Sequence, residues 1–98
     1  MERLSKEFPK AVAMELLGQL YHRCDAFKVL RDRDRTMLSI AIGPMQRYTI
    51  AIGCDYSMTI NFYEYSLGKT KFLKREVARN IPTSTEAMKY AMDKMGAW

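Results

Sequence analysis

Soft metal ligands are scarce in this chain of 98 residues: it has two cysteines, thirty residues apart, and a single histidine. Two such cysteines do not make a disulfide framework. A structural zinc site uses four ligands in close pairs, whereas His22 and Cys24 form one pair and Cys54 stands alone. A Cys–His nucleophilic dyad also fails, because residues two apart on a helix point away from each other. No stretch approaches eighteen apolar residues, which excludes a membrane-spanning helix. Residues 1–8 lack the apolar run of a secretory signal. Gly-Lys-Thr occurs at 68–70, but the earlier glycine of a phosphate-binding loop is missing. Carboxylates are scattered: Asp55 and Glu64 lie at strand ends without a partner. Asp32 and Asp34 alternate with Arg31, Arg33 and Arg35 as a self-paired turn. The chain therefore reads as non-enzymatic, with no cofactor and no metal. Eight methionines and unpaired cysteines point to a reduced, cytoplasmic setting.

What is present is ordinary globular composition, 48% apolar and 28% charged, over a length that suits a single domain spanning residues 1–98. The clearest pattern is a ten-residue repeat: Ser39-Ile40-Ala41-Ile42-Gly43 returns as Thr49-Ile50-Ala51-Ile52-Gly53. Branched apolar residues alternating with small or hydroxylated ones mark strands buried on one face. Gly43-Pro44 between the copies signals a turn. An amphipathic helix is expected over about 9–23, where Val12, Leu16 and Leu20 carry the stripe and Gly18 marks a close helix contact. A second helix is expected over about 84–95, opened by the capping box Thr83-Ser84-Thr85-Glu86 and stopped by Gly96. Strands are expected near 26–31, 35–43, 47–53, 57–66 and 70–78. The expected fold class is α+β: a single antiparallel β-meander of four to five strands with both helices packed on one face.

Side-chain parity sorts the sheet into two faces. The expected pairs are Ile40 with Ile50, around a Pro44-Met45-Gln46 loop, and Ile52 with Met58, around Cys54-Asp55-Tyr56. One face then holds Leu38, Ile40, Ile42, Tyr48, Ile50, Ile52, Met58, Ile60 and Phe62, and is the core. The other carries Met37, Ser39, Ala41, Arg47, Thr49, Ala51, Ser57, Thr59, Asn61, Tyr63 and Tyr65. A last turn at Gly68-Lys69 sets Tyr65 opposite Phe72 and Tyr63 opposite Lys74.

The net charge is +5. It is concentrated in two segments: residues 21–47, where six cations face three acids, and residues 69–79, where five face one. A confined basic excess suits a polyanion. Rings beside Arg and Lys are the ingredients of a single-strand nucleic-acid platform. This reading assigns stacking to Tyr63, Tyr65 and Phe72, and phosphate contacts to Arg47, Lys71 and Lys74. The alternative is a protein-binding regulator or inhibitor of a larger assembly, or a homodimer through the flat sheet face. A methionine-rich second helix and Trp98, as an anchor or a lid, would serve that role.

Helix, strands and helix in this order resemble the double-stranded RNA-binding domain, whose second helix opens on a lysine-rich run. Here that helix opens on Thr83-Ser84-Thr85-Glu86 with only Lys89 basic, and five strands are too many. A four-strand meander followed by a helix is similar to single-strand binders of the Whirly and PUR type in topology alone, and topology does not imply function.

Overall fold

The computed structural model describes residues 4–31 and 35–98. The element order is α1 (Glu7–Leu20), β1 (Ala26–Arg31), β2 (Arg35–Ile42), β3 (Gln46–Gly53), β4 (Met58–Ser66), β5 (Lys69–Ala78) and α2 (Ser84–Met95). The strands form one antiparallel sheet in sequence order, β1-β2-β3-β4-β5. The described turns, between β2 and β3, β3 and β4, and β4 and β5, are short hairpin connections between antiparallel neighbours. The expected self-paired turn at Asp32 and Asp34 lies outside the described residues.

Both helices pack on one face. Val12, Leu16 and Leu20 of α1 meet Ala87, Met88, Ala91, Met92 and Met95 of α2 over Leu38, Ile40, Ile50, Ile52, Met58 and Ile60. The expected core face is therefore the observed one, except that Ile42 at the strand end is only half-buried. Helix α1 starts two residues earlier than expected because the Ser5 hydroxyl accepts from the amides of Glu7 and Phe8, at 3.2 and 3.3 Å. That brings Phe8 into the core against Tyr56, with ring centroids 4.5 Å apart. The helix ends at Leu20, whose carbonyl takes the amides of Arg23 and Cys24. Gly18 makes no close contact: a Cβ there would meet nothing within 4 Å. At α2 the Thr83 hydroxyl accepts from the Glu86 amide at 3.1 Å, and Gly96 closes the helix at φ 62°.

Two registers differ from expectation. In β2–β3, Leu38 pairs with Ile50 and Ile40 with Tyr48, and the ladder runs on to Ile42 and Gln46. The turn is thus Gly43-Pro44-Met45, with Gly43 at φ 69° and its amide donating to Asp25 at 2.6 Å. The slip is two residues, so every side chain stays on its expected face. The β3–β4 register is as expected, with Ile52 opposite Met58.

In β4–β5 the turn is Leu67-Gly68, both at positive φ (54° and 75°), the two-residue type I′ geometry that matches strand twist. Phe72 stands opposite Tyr63, not Tyr65, which faces Thr70. A β-bulge follows, leaving Leu73 without a partner and setting Lys74 opposite Phe62 and Arg75 opposite Asn61. The extra residue moves Lys74 to the helix side and Arg75 to the open side.

Candidate nucleic-acid interface

Both described helices lie on the other face of the sheet, and the residues of the second face stand in three cross-strand rows, with the Arg35–Gly53 pair beyond the first. The first row is mostly apolar: Leu30, Met37, Ala51, Thr59 and Val77. The middle row is polar: Lys28, Ser39, Thr49, Asn61 and Arg75. Ala26, Ala41, Arg47, Tyr63 and Phe72 make the third row, and the Tyr65–Thr70 pair lies beyond it. Small residues on β2 and β3 keep the centre flat, so a ligand can approach the backbone.

The polar row is wired from one side. The Arg75 Nε donates to Asn61 Oδ1 at 2.8 Å, and Asn61 Nδ2 donates to Thr49 Oγ1 at 3.0 Å. Above the third row, Tyr63 and Phe72 meet edge to face at 5.7 Å, and Phe72 is 50% exposed. Arg75 approaches the Phe72 ring at 6.0 Å, and Arg47 lies 5.0 Å from the centre of the Tyr65 ring. The Arg47 Nη1 donates to the carbonyls of Gly43 and Gln46, at 3.1 and 2.9 Å, which pins the guanidinium over the sheet. Across these rows and the Tyr65–Thr70 pair stand Lys28, Arg47 and Arg75 and no carboxylate. The strand carboxylates Glu64 and Glu76 occupy helix-side positions.

Four of the six residues expected to form the site converge here: Arg47, Tyr63, Tyr65 and Phe72. Lys71 pairs with Glu64 on the helix side. The Lys74 ammonium sits 4.7 Å over the Phe62 ring and 3.9 Å from Glu76, which Lys94 of α2 also reaches at 3.9 Å. Sequence reasoning missed Arg75, because nothing in Phe72-Leu73-Lys74-Arg75 announces a bulge. Lys28 reaches the face through the period of β1, which sets Ala26, Lys28 and Leu30 on the open side.

Other chemistry is sparse. Among the described residues no group of three or more His, Cys, Asp or Glu side chains could hold a metal ion. Cys24 and Cys54 are both unpaired and half-buried. Burial, and then the neighbouring Asp25 carboxylate, push the Cys24 thiol above its ordinary pKa, which the thiol's backbone hydrogen bond only partly opposes. Tyr48 is likewise raised by burial, and its hydroxyl donates to Gln46 Oε1 at 3.0 Å. A cavity of about 700 Å³ opens beside Ser5, Lys6, Arg35 and Cys54, away from all six expected site residues. No helix in the described residues is long and apolar enough to cross a membrane. Trp98 is 59% exposed and its indole N–H bonds Asp93, so it lies back along α2 and is not a lid on the core. In comparison with known proteins the chain matches no family, no curated protein and no solved structure.

Proposed function

We propose that the open sheet face binds single-stranded nucleic acid and that the protein works as a non-enzymatic binding module. One observation carries the reading: Tyr63, Tyr65 and Phe72 share a face with Lys28, Arg47 and Arg75, and no carboxylate stands among the described residues of that face. Bases stack on the aromatic end, with Phe72 the most accessible ring. The cations take phosphates, and the hydroxyl and amide groups of the middle row accept and donate at base edges. Lys71 and Lys74 contribute long-range attraction only, since they stand on the other side.

A second reading has support in the apolar row, where Leu30 and Val77 are exposed beside Met37 and Ala51. That row suits a protein partner, including a second copy of the chain. The charge pattern disfavours the second copy. Two such faces stacked together oppose cations with cations, and like-charge juxtaposition costs several kcal/mol.

The test is fluorescence anisotropy of labelled single-stranded DNA and RNA titrated at several salt concentrations. Three phosphate contacts at about −0.7 each give a log–log salt slope of about −2. Replacing both stacking rings, Tyr63→Ala/Phe72→Ala, should weaken binding at least tenfold, given about 1–3 kcal/mol per stacked base. Unchanged affinity in a variant that keeps its circular dichroism spectrum removes the stacking assignment. Absence of binding at low salt, with a dimer by light scattering, transfers the face to the second reading.

A further inference from the structure

Within the open face, a cavity of about 380 Å³ forms around Arg47. Ser39, Thr49, Tyr63, Tyr65 and Thr70 line it, and each side chain ends in a hydroxyl. Both hydrogen bonds of Arg47 use Nη1. Its Nε and Nη2 hydrogens are therefore free to serve a ligand, while the Tyr65 ring and two carbonyls hold the group in place. Thr49 Oγ1 already accepts from Asn61, which leaves its own hydrogen available as a donor. The cavity thus concentrates donors around one cation with no acidic side chain in its wall.

We propose that this cavity is an oxyanion site that takes a phosphate monoester, the group at the end of a phosphorylated nucleic-acid strand. The proposal rests on the single-strand reading of the same face and adds which phosphate is preferred. A backbone diester offers two free oxygens and one charge. A monoester offers three strong acceptor oxygens and a charge between about −1.5 and −2. The free Nε–Nη2 edge of the guanidinium and the hydroxyl-bearing wall together offer more donors than the two free oxygens of a diester use, and match the larger group. The cavity also sits at the end of the face, against its last pair (Tyr65–Thr70). Free inorganic phosphate presents the same chemistry and is the second source the site accepts.

The experiment compares the full chain binding to two oligonucleotides of one sequence, with and without a terminal phosphate (5′ and 3′ forms tried separately). In parallel, inorganic phosphate alone is titrated by two-dimensional NMR. The expected result is affinity about tenfold higher for one phosphorylated end, with phosphate shifting the amides of Arg47, Thr49 and Thr70. Arg47→Gln should erase the difference between the two oligonucleotides, and Arg47→Lys should restore only part of it. Thr70→Val keeps the β-branched shape and removes a hydroxyl from the wall, so it should lower the phosphate-dependent gain. Equal affinity for both oligonucleotides, together with no response to phosphate, overturns the monoester site and leaves the single-strand reading standing. A response to phosphate with no binding of either oligonucleotide overturns the single-strand reading and retains the pocket for free phosphate.

Discussion

Leu67→Asn should stabilise this protein. Leu67 holds φ 54° at the first position of the β4–β5 turn, followed by Gly68 at φ 75°. A side chain with a Cβ in the left-handed region costs about 1–2 kcal/mol. Leucine gains nothing in return, since it is 97% exposed. Asparagine tolerates that region several-fold better, and Asn-Gly is the preferred pair for a type I′ turn. With no burial to lose, the net gain is about 1 kcal/mol, which for a domain of this size raises the melting temperature by about 4–8 °C. Thermal denaturation followed by circular dichroism reads it directly. The turn also fixes the pairing of Tyr63 with Phe72, so the NMR contact between those rings should persist. An unchanged or lowered melting temperature would refute the type I′ assignment, or show that Leu67 makes contacts in solution that offset the strain.

Ile60 lies fully buried at the middle of the helix-side face, opposite Ile50. Ile60→Ala should cost about 2–5 kcal/mol in urea unfolding, and a loss under 1 kcal/mol would mean the helices do not cover that position. At Gly53 a Cβ would meet Asp55 Oδ1 at 2.5 Å and Ser57 Oγ at 2.9 Å. Gly53→Ala therefore displaces the ends of those two exposed side chains and loosens the Ser57–Asp55 hydrogen bond of that turn, with an expected loss of at most about 1 kcal/mol in thermal melts. For pH, Cys24 and Tyr48 are both raised by burial from ordinary values of 9.0 and 10.0. The folded state then holds those protons more tightly than the unfolded chain. Their contribution is full below pH 9 and is lost as pH climbs through the raised values. Melting temperatures should fall with rising pH in that range, less so in Tyr48→Phe, and a flat profile would contradict the burial of both groups.

Much of the fold was legible because strand period two is a local property. The ten-residue repeat placed β2 and β3, and the identities of Leu38, Ile40, Ile50, Ile52, Met58 and Ile60 assigned the core face. A two-residue error in the β2–β3 register did no harm, since an even slip leaves side chains on the same side. The capping box at Thr83 and the stop at Gly96 were equally local, and both bounded α2. The start of α1 was less readable: Ser5 capping two amides competes with the stronger signal of Pro9.

The β4–β5 hairpin marks where sequence pattern stops being sufficient. Parity counted from a turn is only as good as the turn and the regularity of the strand after it. Leu67-Gly68 in place of Gly68-Lys69 changed the partner of Phe72. The bulge at Leu73 then inverted the parity of everything downstream, taking Lys74 to Phe62 and Glu76 and delivering Arg75 to Asn61 and Phe72. A bulge carries no reliable residue signature, because its energy lies in contacts made on both faces at once. By itself, the sequence determined the element order, the buried face and the open face with its aromatic end. The tertiary structure alone decided which cations join those aromatics, because only pairing along the whole hairpin settles which side of the sheet each basic side chain occupies.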